Sequence, residues 1–356
     1  MSERNKKTGI KKETYCISID KKDAEKIRKI LKKKELLNFN YLPETQKNKV
    51  IFPVINETKK IKKLGFIILE RKLRQVKQKK GSLADLLEQK GIKSDEIVKS
   101  FDVIGDIAII DIPEKLKKHK EHKKEIANAI LSIHPNIKTV AEKVSPVSGV
   151  YRIRKVKVIA GEKKTETIHT ETGCRFKLDI NKVYFSPRLV FERQRIANLV
   201  KNGKKCETVF VPFVGVGPFA IIIAKNNQDS IVYANELNPI AFKYLKENIK
   251  LNKTYNVIPI KGDIKKVAKD YKNKADRIIM PLPMSSQSYL NSAFLIARKN
   301  CTIHIYLFVK NKKEAEEIVK SAAKKFRKKI KILNTRKVRD YSASIIEVVV
   351  DFQMKR

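Results

Sequence analysis

The sequence predicts an α/β protein: a doubly wound, Rossmann-like sheet domain in the C-terminal half, preceded by two small α/β modules. Two observations carry that fold class. Residues 209–239 read VFVPFVGVGPFAIIIAKNNQDSIVYANELNP. That is an apolar run, a turn through Gly215-Val216-Gly217, a helical stretch from Pro218 to Lys225, and a second apolar run closing on Glu236. A strand, a glycine turn, a helix and a strand ending in an acid make the first half of a nucleotide-binding fold. The strand-like runs that follow also end on groups able to meet a ligand, Asp263 after the third and Pro281 after the fourth. Open α/β sheets bind ligands at those strand ends.

The elements follow in order. Residues 1–12 read as a charged, mobile tail. Residues 15–19 alternate as a strand, 22–34 have helical spacing with a lysine face, and 50–54 and 65–69 are further strands; together they form a module over 13–75. A basic linker covers 76–94, its lysine run beginning near Lys72 and enclosing a short helix at 82–89. The middle module, 95–180, opens with two strands joined through Gly105 in Phe101–Pro113. A helix over 125–133 follows a charged run in which His119 and His122 read as solvated. Residues 150–160 set Tyr151, Ile153, Val156 and Val158 against Arg152, Arg154, Lys155 and Lys157, a strand with one apolar and one cationic face. That cationic face fits a phosphate track and a plain solvated surface equally. Strands at 167–170 and 176–185 lead into the sheet domain, 181–356. It continues with a helix at 239–250, strands at 257–260 and 275–280, a helix at 285–298, a strand at 301–308, a lysine-faced helix at 313–327 and a last strand at 345–352. His304, inside an apolar strand, reads as a core histidine.

Gly215 and Gly217 remove side chains where a cofactor would touch backbone, and Glu236 stands where ribose hydroxyls bind. There is no third glycine to make room for a pyrophosphate. An adenosine-bearing cofactor without a diphosphate, S-adenosylmethionine, fits that turn; a purely structural turn fits it too.

Lys and Arg number 80 against 38 Asp and Glu, a formal charge of +42. Such a charge points to a polyanionic partner, nucleic acid above all. Cys16, Cys174, Cys206 and Cys301 are scattered, with no CxxC and no histidine at ligand spacing. That argues against a metal site or disulfide framework and for a reducing, cytoplasmic setting. No apolar run approaches the roughly 20 residues of a membrane span.

Several segments, taken together, resemble one family. FDVIGDIAIIDIP, YRIRKVKVIAGEKKTETIH, DINKVYFSPRLVFERQRI, FVGVGPFAI, NELNPIAFKYLKENIKLN, KGDI and DRIIMPLP follow one another in order. They are similar to the archaeal and eukaryotic tRNA (guanine-37 N1)-methyltransferases, which share a fold family with a wyosine-pathway aminocarboxypropyl transferase. The resemblance covers nearly the whole chain from about residue 95, and the first 80 residues only loosely. It implies a class I methyltransferase domain, S-adenosylmethionine as cofactor, no metal, tRNA as partner and a monomer. It also implies roles for matching residues. Glu192 would be the general base that takes the guanine N1 proton. Arg152 would stabilise charge on O6, and Tyr184 would line the target base. Arg193, Phe213, Gly215, Gly217, Glu236, Leu237, Asp263, Ile264 and Pro281 would hold the cofactor. From the residues alone, Glu192 better fits a helical ion pair with Arg195 or Arg188, and Tyr184 and Phe213 better fit core aromatics.

Two departures stand out. The family has an acid before the glycine turn where this chain has Val211-Pro212-Phe213-Val214. It has an asparagine where this chain has Pro281, which loses the side-chain amide and the N–H. A methyltransferase on a later wyosine-type guanosine, a tRNA-binding paralogue with weakened catalysis and the aminocarboxypropyl transferase remain as alternatives.

Overall fold

The structure is a computed structural model that describes residues 11–56, 58–74, 83, 87, 101–113 and 119–355. The chain divides into two compact units, Met1–Asp85 and Leu86–Arg356.

The first unit contains β1 (Lys11–Asp20), α1 (Ala24–Lys33), β2 (Glu44–Gln46), β3 (Lys49–Pro53), α2 (Thr58–Lys62) and β4 (Leu69–Arg74). The sheet order is β2-β3-β1-β4, antiparallel throughout. Ile17, Leu31, Leu36, Phe52, Val54 and Ile61 form its core. The strand expected at 65–69 begins only at Leu69 and runs to Arg74, through residues read as linker. Leu73 is buried there while its charged neighbours face solvent, so an edge strand tolerates the basic run. The expected tail lies outside the described residues up to residue 10; Lys11 and Lys12 already pair in β1. The helix expected at 82–89 lies outside them apart from Leu83 and Leu87.

The second unit opens with β5 (Asp102–Ile104), β6 (Ile107–Ile110), α3 (Lys120–Ile133), β7 (Thr139–Lys143) and β8 (Val156–Gly161), in sheet order β5-β6-β7-β8. β6 and β7 are parallel, as a helical crossover requires. The expected strand over 150–160 is shorter. Tyr151 and Arg152 lie in a turn, Arg152 at φ +56°, its N–H bonded to the Gly149 carbonyl at 3.2 Å. A hairpin of β9 (Glu166–Glu171) and β10 (Cys174–Asp179) follows, with positive φ at both Thr172 and Gly173, the geometry of a tight primed turn.

Then come α4 (Val190–Lys201), β11 (Thr208–Val211), α5 (Pro218–Asn226), β12 (Ile231–Glu236), α6 (Pro239–Asn252), β13 (Val257–Lys261), α7 (Ile264–Val267), β14 (Ala275–Met280), α8 (Leu290–Ile296), β15 (Ala297–Val309), α9 (Lys312–Lys325), β16 (Ile330–Asp340) and β17 (Ile346–Met354). Their sheet has the order β13-β12-β11-β14-β15-β17-β16. It is parallel from β13 to β15, with β17 and β16 added antiparallel. The order reverses at β11, so the glycine turn sits at the topological switch point. β11 reads as a nearly continuous apolar run because helices cover both faces of a central parallel strand.

The hairpin assigned above to the middle module is bonded to this sheet domain. Asn248 and Asn252, one turn apart on α6, each exchange two hydrogen bonds with the backbone of β10, at Lys177 and Arg175, over 2.7–3.0 Å. The helix thus satisfies a strand edge that has no other partner strand. Asn248 also bonds the Val216 carbonyl at 3.0 Å, which ties the glycine turn to the same helix. One hydrophobic cluster runs from Ile104 and Ile107 into Val209, Phe219 and Leu245.

Candidate active site

The glycine turn is closed by Glu236. Its Oε2 accepts the Gly215 N–H and its Oε1 the Asn238 N–H, each at 2.7 Å. Burial holds this carboxyl above its ordinary pKa, against the pull of those N–H groups. Gly215 has φ +59°, and a side chain there would meet only the Tyr184 carbonyl, at 3.6 Å. Gly217 serves packing instead: at φ +101° a Cβ would come within 2.7 Å of Leu245 and 2.8 Å of Ile221. Phe213, in the left-handed region at φ +56°, packs at a tilt against Tyr289, ring centroids 4.8 Å apart. Leu237 is exposed beside Glu236. Asp263 spends one oxygen capping α7, on the Lys265 N–H at 2.9 Å. Pro281 is half-buried at the end of β14. These residues lie along the C-terminal edge of the parallel strands, where the sequence put them. The Ile264 side chain is buried in the core, which leaves its backbone as the part that could meet a ligand.

Arg193 is held in the fold. It is buried, Nη1 bonded to both oxygens of Glu171 at 2.5–2.6 Å and Nη2 to the Ser186 carbonyl at 2.6 Å. Its guanidinium stacks near Phe185 and Phe219. Both terminal nitrogens brace the segment between Tyr184 and α4, while its buried Nε has no partner among the described residues.

Glu192 is 2% exposed in the first turn of α4. Oε2 accepts from Arg195 Nε and from the Tyr306 hydroxyl, both at 2.9 Å, and Oε1 from Arg336 at 2.6 Å. The helical ion pair read as an alternative therefore exists, within a larger cluster. Arg188 goes elsewhere, to Asp102 at 2.7 Å. Behind Glu192 runs a buried chain. Arg195 donates to Asp351 at 2.7 Å, Asp351 meets His304 Nδ1 at 2.6 Å, and His304 Nε2 meets Arg277 at 2.8 Å. Arg277 in turn makes two 2.8 Å bonds to Glu207. Guanidinium only donates, so Nε2 of His304 is the acceptor and the ring is neutral, with its proton on Nδ1. Burial lowers the His304 pKa in agreement. Burial alone would raise Asp351, yet His304 and Arg195 hold it far below the carboxylate range. His304 is thus a core histidine with a definite job.

Tyr184 keeps 43% of its surface exposed, but burial at the hydroxyl pushes its pKa up. The charges of Arg339, Glu347, Arg193 and Arg154 reach that hydroxyl. Arg154 is the arginine of the 150–154 turn brought there; Arg152 lies two residues away in the turn itself. His119 and His122 stack at 5.4 Å, and no metal-binding cluster occurs among the described residues. No helix among them is long and apolar enough to cross a membrane.

Sequence reasoning read Arg154 only as part of a cationic face and missed Tyr306, Arg336, Arg339, Glu347 and Asp351. Arg336 and Arg339 sit on β16, which was passed over because its arginines and lysines mask an alternation of Ile330 and Ile332 with polar residues. Glu347, Asp351 and Gln353 interrupt the apolar run of β17 at positions of one parity, a period-2 signal for one face that also carries Val349.

The strand order, the glycine turn at the switch point and the acid on the next strand define a class I methyltransferase domain. The TRM5/TYW2 methyltransferase domain matches residues 167–333, the TYW2 N-terminal domain 83–165, and the tRNA methyltransferase 5 N-terminal domain 16–62. The chain is 39% identical over 344 residues to the tRNA (guanine(37)-N(1))-methyltransferase Trm5b of Pyrococcus abyssi, covering 96% of this chain and 99% of that one. A solved complex of aTrm5 and tRNALeu aligns with a TM-score of 0.75 at 32% identity, over 96% of this chain and 99% of that one. Methanocaldococcus jannaschii Trm5 in complex with adenosine aligns with a TM-score of 0.64 at 31% identity, over 96% and 99%. The chain belongs to the TRM5/TYW2 methyltransferase family.

Proposed function

We propose that this protein is a cytoplasmic tRNA methyltransferase that moves a methyl group from S-adenosylmethionine to N1 of the guanosine at position 37. The observation that carries this reading is the place of Tyr184. Its carbonyl borders the Gly215–Glu236 turn, and its hydroxyl lies within reach of the charges of Arg339 and Glu347, the latter in turn within reach of Glu192. A cofactor turn and a proton-accepting cluster therefore share one edge of one sheet.

The residues present fit the adenosine end of the cofactor. Glu236 is a buried carboxylate whose oxygens lie at the turn, suited to ribose hydroxyls, with Leu237 exposed beside it. The Asp263 carboxylate and the Pro281 carbonyl supply further polar contacts, and Phe213 an aromatic wall. When bound, S-adenosylmethionine supplies an electrophilic methyl group. The chain's own groups orient the base and move its proton. Glu192 takes the proton from guanine N1; a guanidinium of the 150–154 turn, Arg152 or Arg154, meets the negative charge that deprotonation pushes onto O6. Lysines in 59–80, 115–124 and 310–331 give sequence-independent phosphate contacts.

The test is Glu192→Gln, assayed on guanosine-37 tRNA with mass spectrometry of the nucleosides. Turnover should drop about 10²–10⁴-fold with cofactor and tRNA binding near normal. Unchanged turnover removes Glu192 as the base. A wild-type chain that binds cofactor but yields no N1-methylguanosine turns the reading towards a wyosine-type substrate.

A further inference from the structure

The sheet face beneath α4 carries a ladder of groups set by strand register. On β15 and β17 the cross-strand pairs are His304–Asp351, Tyr306–Val349 and Phe308–Glu347. Alternation puts all six on one face, opposite Val348, Val350 and Phe352, which fill the other core. The lower polar groups are satisfied, His304 and Asp351 by each other and by arginines, Tyr306 by Glu192. The top rung, at the edge where ligands bind, is not. Glu347 is 1% exposed. Its Oε2 accepts from Arg339 Nε at 2.5 Å, and its Oε1 has no partner among the described residues. Leaving a buried acceptor unpaired costs about 1–3 kcal/mol, and more for a charged group. Native proteins keep few such atoms, and each asks for an explanation. Burial also holds the Glu347 carboxyl above its ordinary pKa, against the pull of Arg339, and the charge of Glu192 adds to the effect.

We propose that Glu347 reads the target base: its free Oε1 accepts an N–H of the exocyclic 2-amino group of guanine, while Glu192 faces N1. This rests on the guanosine-methylating reading above. The chemistry suits guanine and not hypoxanthine. Guanine presents N1–H and the 2-amino N–H side by side, two donors for two carboxylates close enough for their charges to interact. Hypoxanthine keeps N1–H and lacks the amino group, so Glu192 cannot tell the two apart and Glu347 can. Arg339, on the edge strand, holds Oε2 and so aims Oε1. Tyr184 is half-exposed, with its hydroxyl in the field of Glu347.

The experiment compares the full chain with Glu347→Gln on tRNA transcripts carrying guanosine or inosine at position 37, reading kcat/KM for the N1-methyl product. Wild type should prefer guanosine by about 10–100-fold, the discrimination one hydrogen bond to a desolvated carboxylate provides. In Glu347→Gln, Arg339 takes the amide oxygen and the NH2 group turns towards the base. Guanosine then loses that advantage and the ratio falls to about 1, with S-adenosylmethionine affinity unchanged as the sign of an intact fold. Equal rates on the two transcripts with the wild-type chain overturn the proposal without recourse to any variant. So does a Glu347→Gln ratio equal to the wild-type one. A wild-type chain that methylates neither transcript sinks the underlying reading instead, a result distinct from both.

Discussion

Arg336, 40% exposed on the edge strand β16, donates to Oε1 of the buried Glu192 at 2.6 Å. Of the three donors on that carboxylate it is the most exposed; Arg195 is mostly buried and Tyr306 wholly so. Arg336 is therefore the donor that an incoming base can exchange, and the one whose loss leaves the rest of the cluster standing. Arg336→Ala should cost about 1–3 kcal/mol of stability, the value of a charged hydrogen bond to a desolvated carboxylate. In a Glu192→Gln background the same change should cost a few tenths of a kcal/mol. A double-mutant cycle by urea unfolding measures both. Equal penalties in the two backgrounds would mean the contact carries no energy.

The sheet domain was legible because its signals are local. Gly215, Gly217 and Glu236 lie within about one strand–turn–helix–strand unit, and the strand ends at Asp263 and Pro281 repeat the placement. What stayed hidden depends on distant pairing. Nothing near Glu192 in sequence announces Tyr306 or Arg336, which are 114 and 144 residues away. The buried pairing of Arg193 was not visible either, because its partner Glu171 sits 22 residues upstream in a hairpin. Arg152 and Arg154 read alike in an alternating string, and only the turn at Gly149–Arg152 separates them.

The two glycines of the turn should fail differently. Gly217→Ala forces a side chain to φ +101° and pushes on Leu245 and Ile221, so it should destabilise by about 2–4 kcal/mol. Gly215→Ala finds ordinary contact at 3.6 Å and should cost only about 1–2 kcal/mol for its φ of +59°. Its methyl group, however, enters the space beside Tyr184 and Glu236. Thermal unfolding and S-adenosylmethionine calorimetry on both variants check this. The larger loss of stability should come with Gly217, the larger loss of cofactor affinity relative to stability with Gly215.

Asp351 joins the cluster at Glu192 to the interior chain, since it pairs with both Arg195 and His304. Asp351→Asn removes the charge that compensates Arg195 in a buried setting, so it should destabilise by about 3–5 kcal/mol. Turnover should fall beyond what the loss of folded protein explains, because Arg195 is then free to turn away from Glu192. Active-site titration alongside the rate separates the two effects. A loss that scales wholly with the folded fraction would confine Asp351 to stability.

His304 makes the stability of this unit depend on pH in a definite direction. In the native state Arg277 donates to Nε2 and Nδ1–H donates to Asp351, so no nitrogen is left to take a proton without breaking a bond. Burial lowers the native pKa below the ordinary histidine value of 6.5. The unfolded chain then binds a proton that the native chain refuses, so stability falls as pH drops through about 6.5 and continues to fall towards the lowered native value. One such proton contributes a slope of up to about 1.4 kcal/mol per pH unit. His304→Gln, which keeps an amide for the same neighbours and cannot titrate, should flatten the curve by that amount between pH 7.5 and 5.5. Urea midpoints at half-unit steps of pH give the two slopes. If the variant follows the wild-type slope across that range, the proton is taken up elsewhere in the chain.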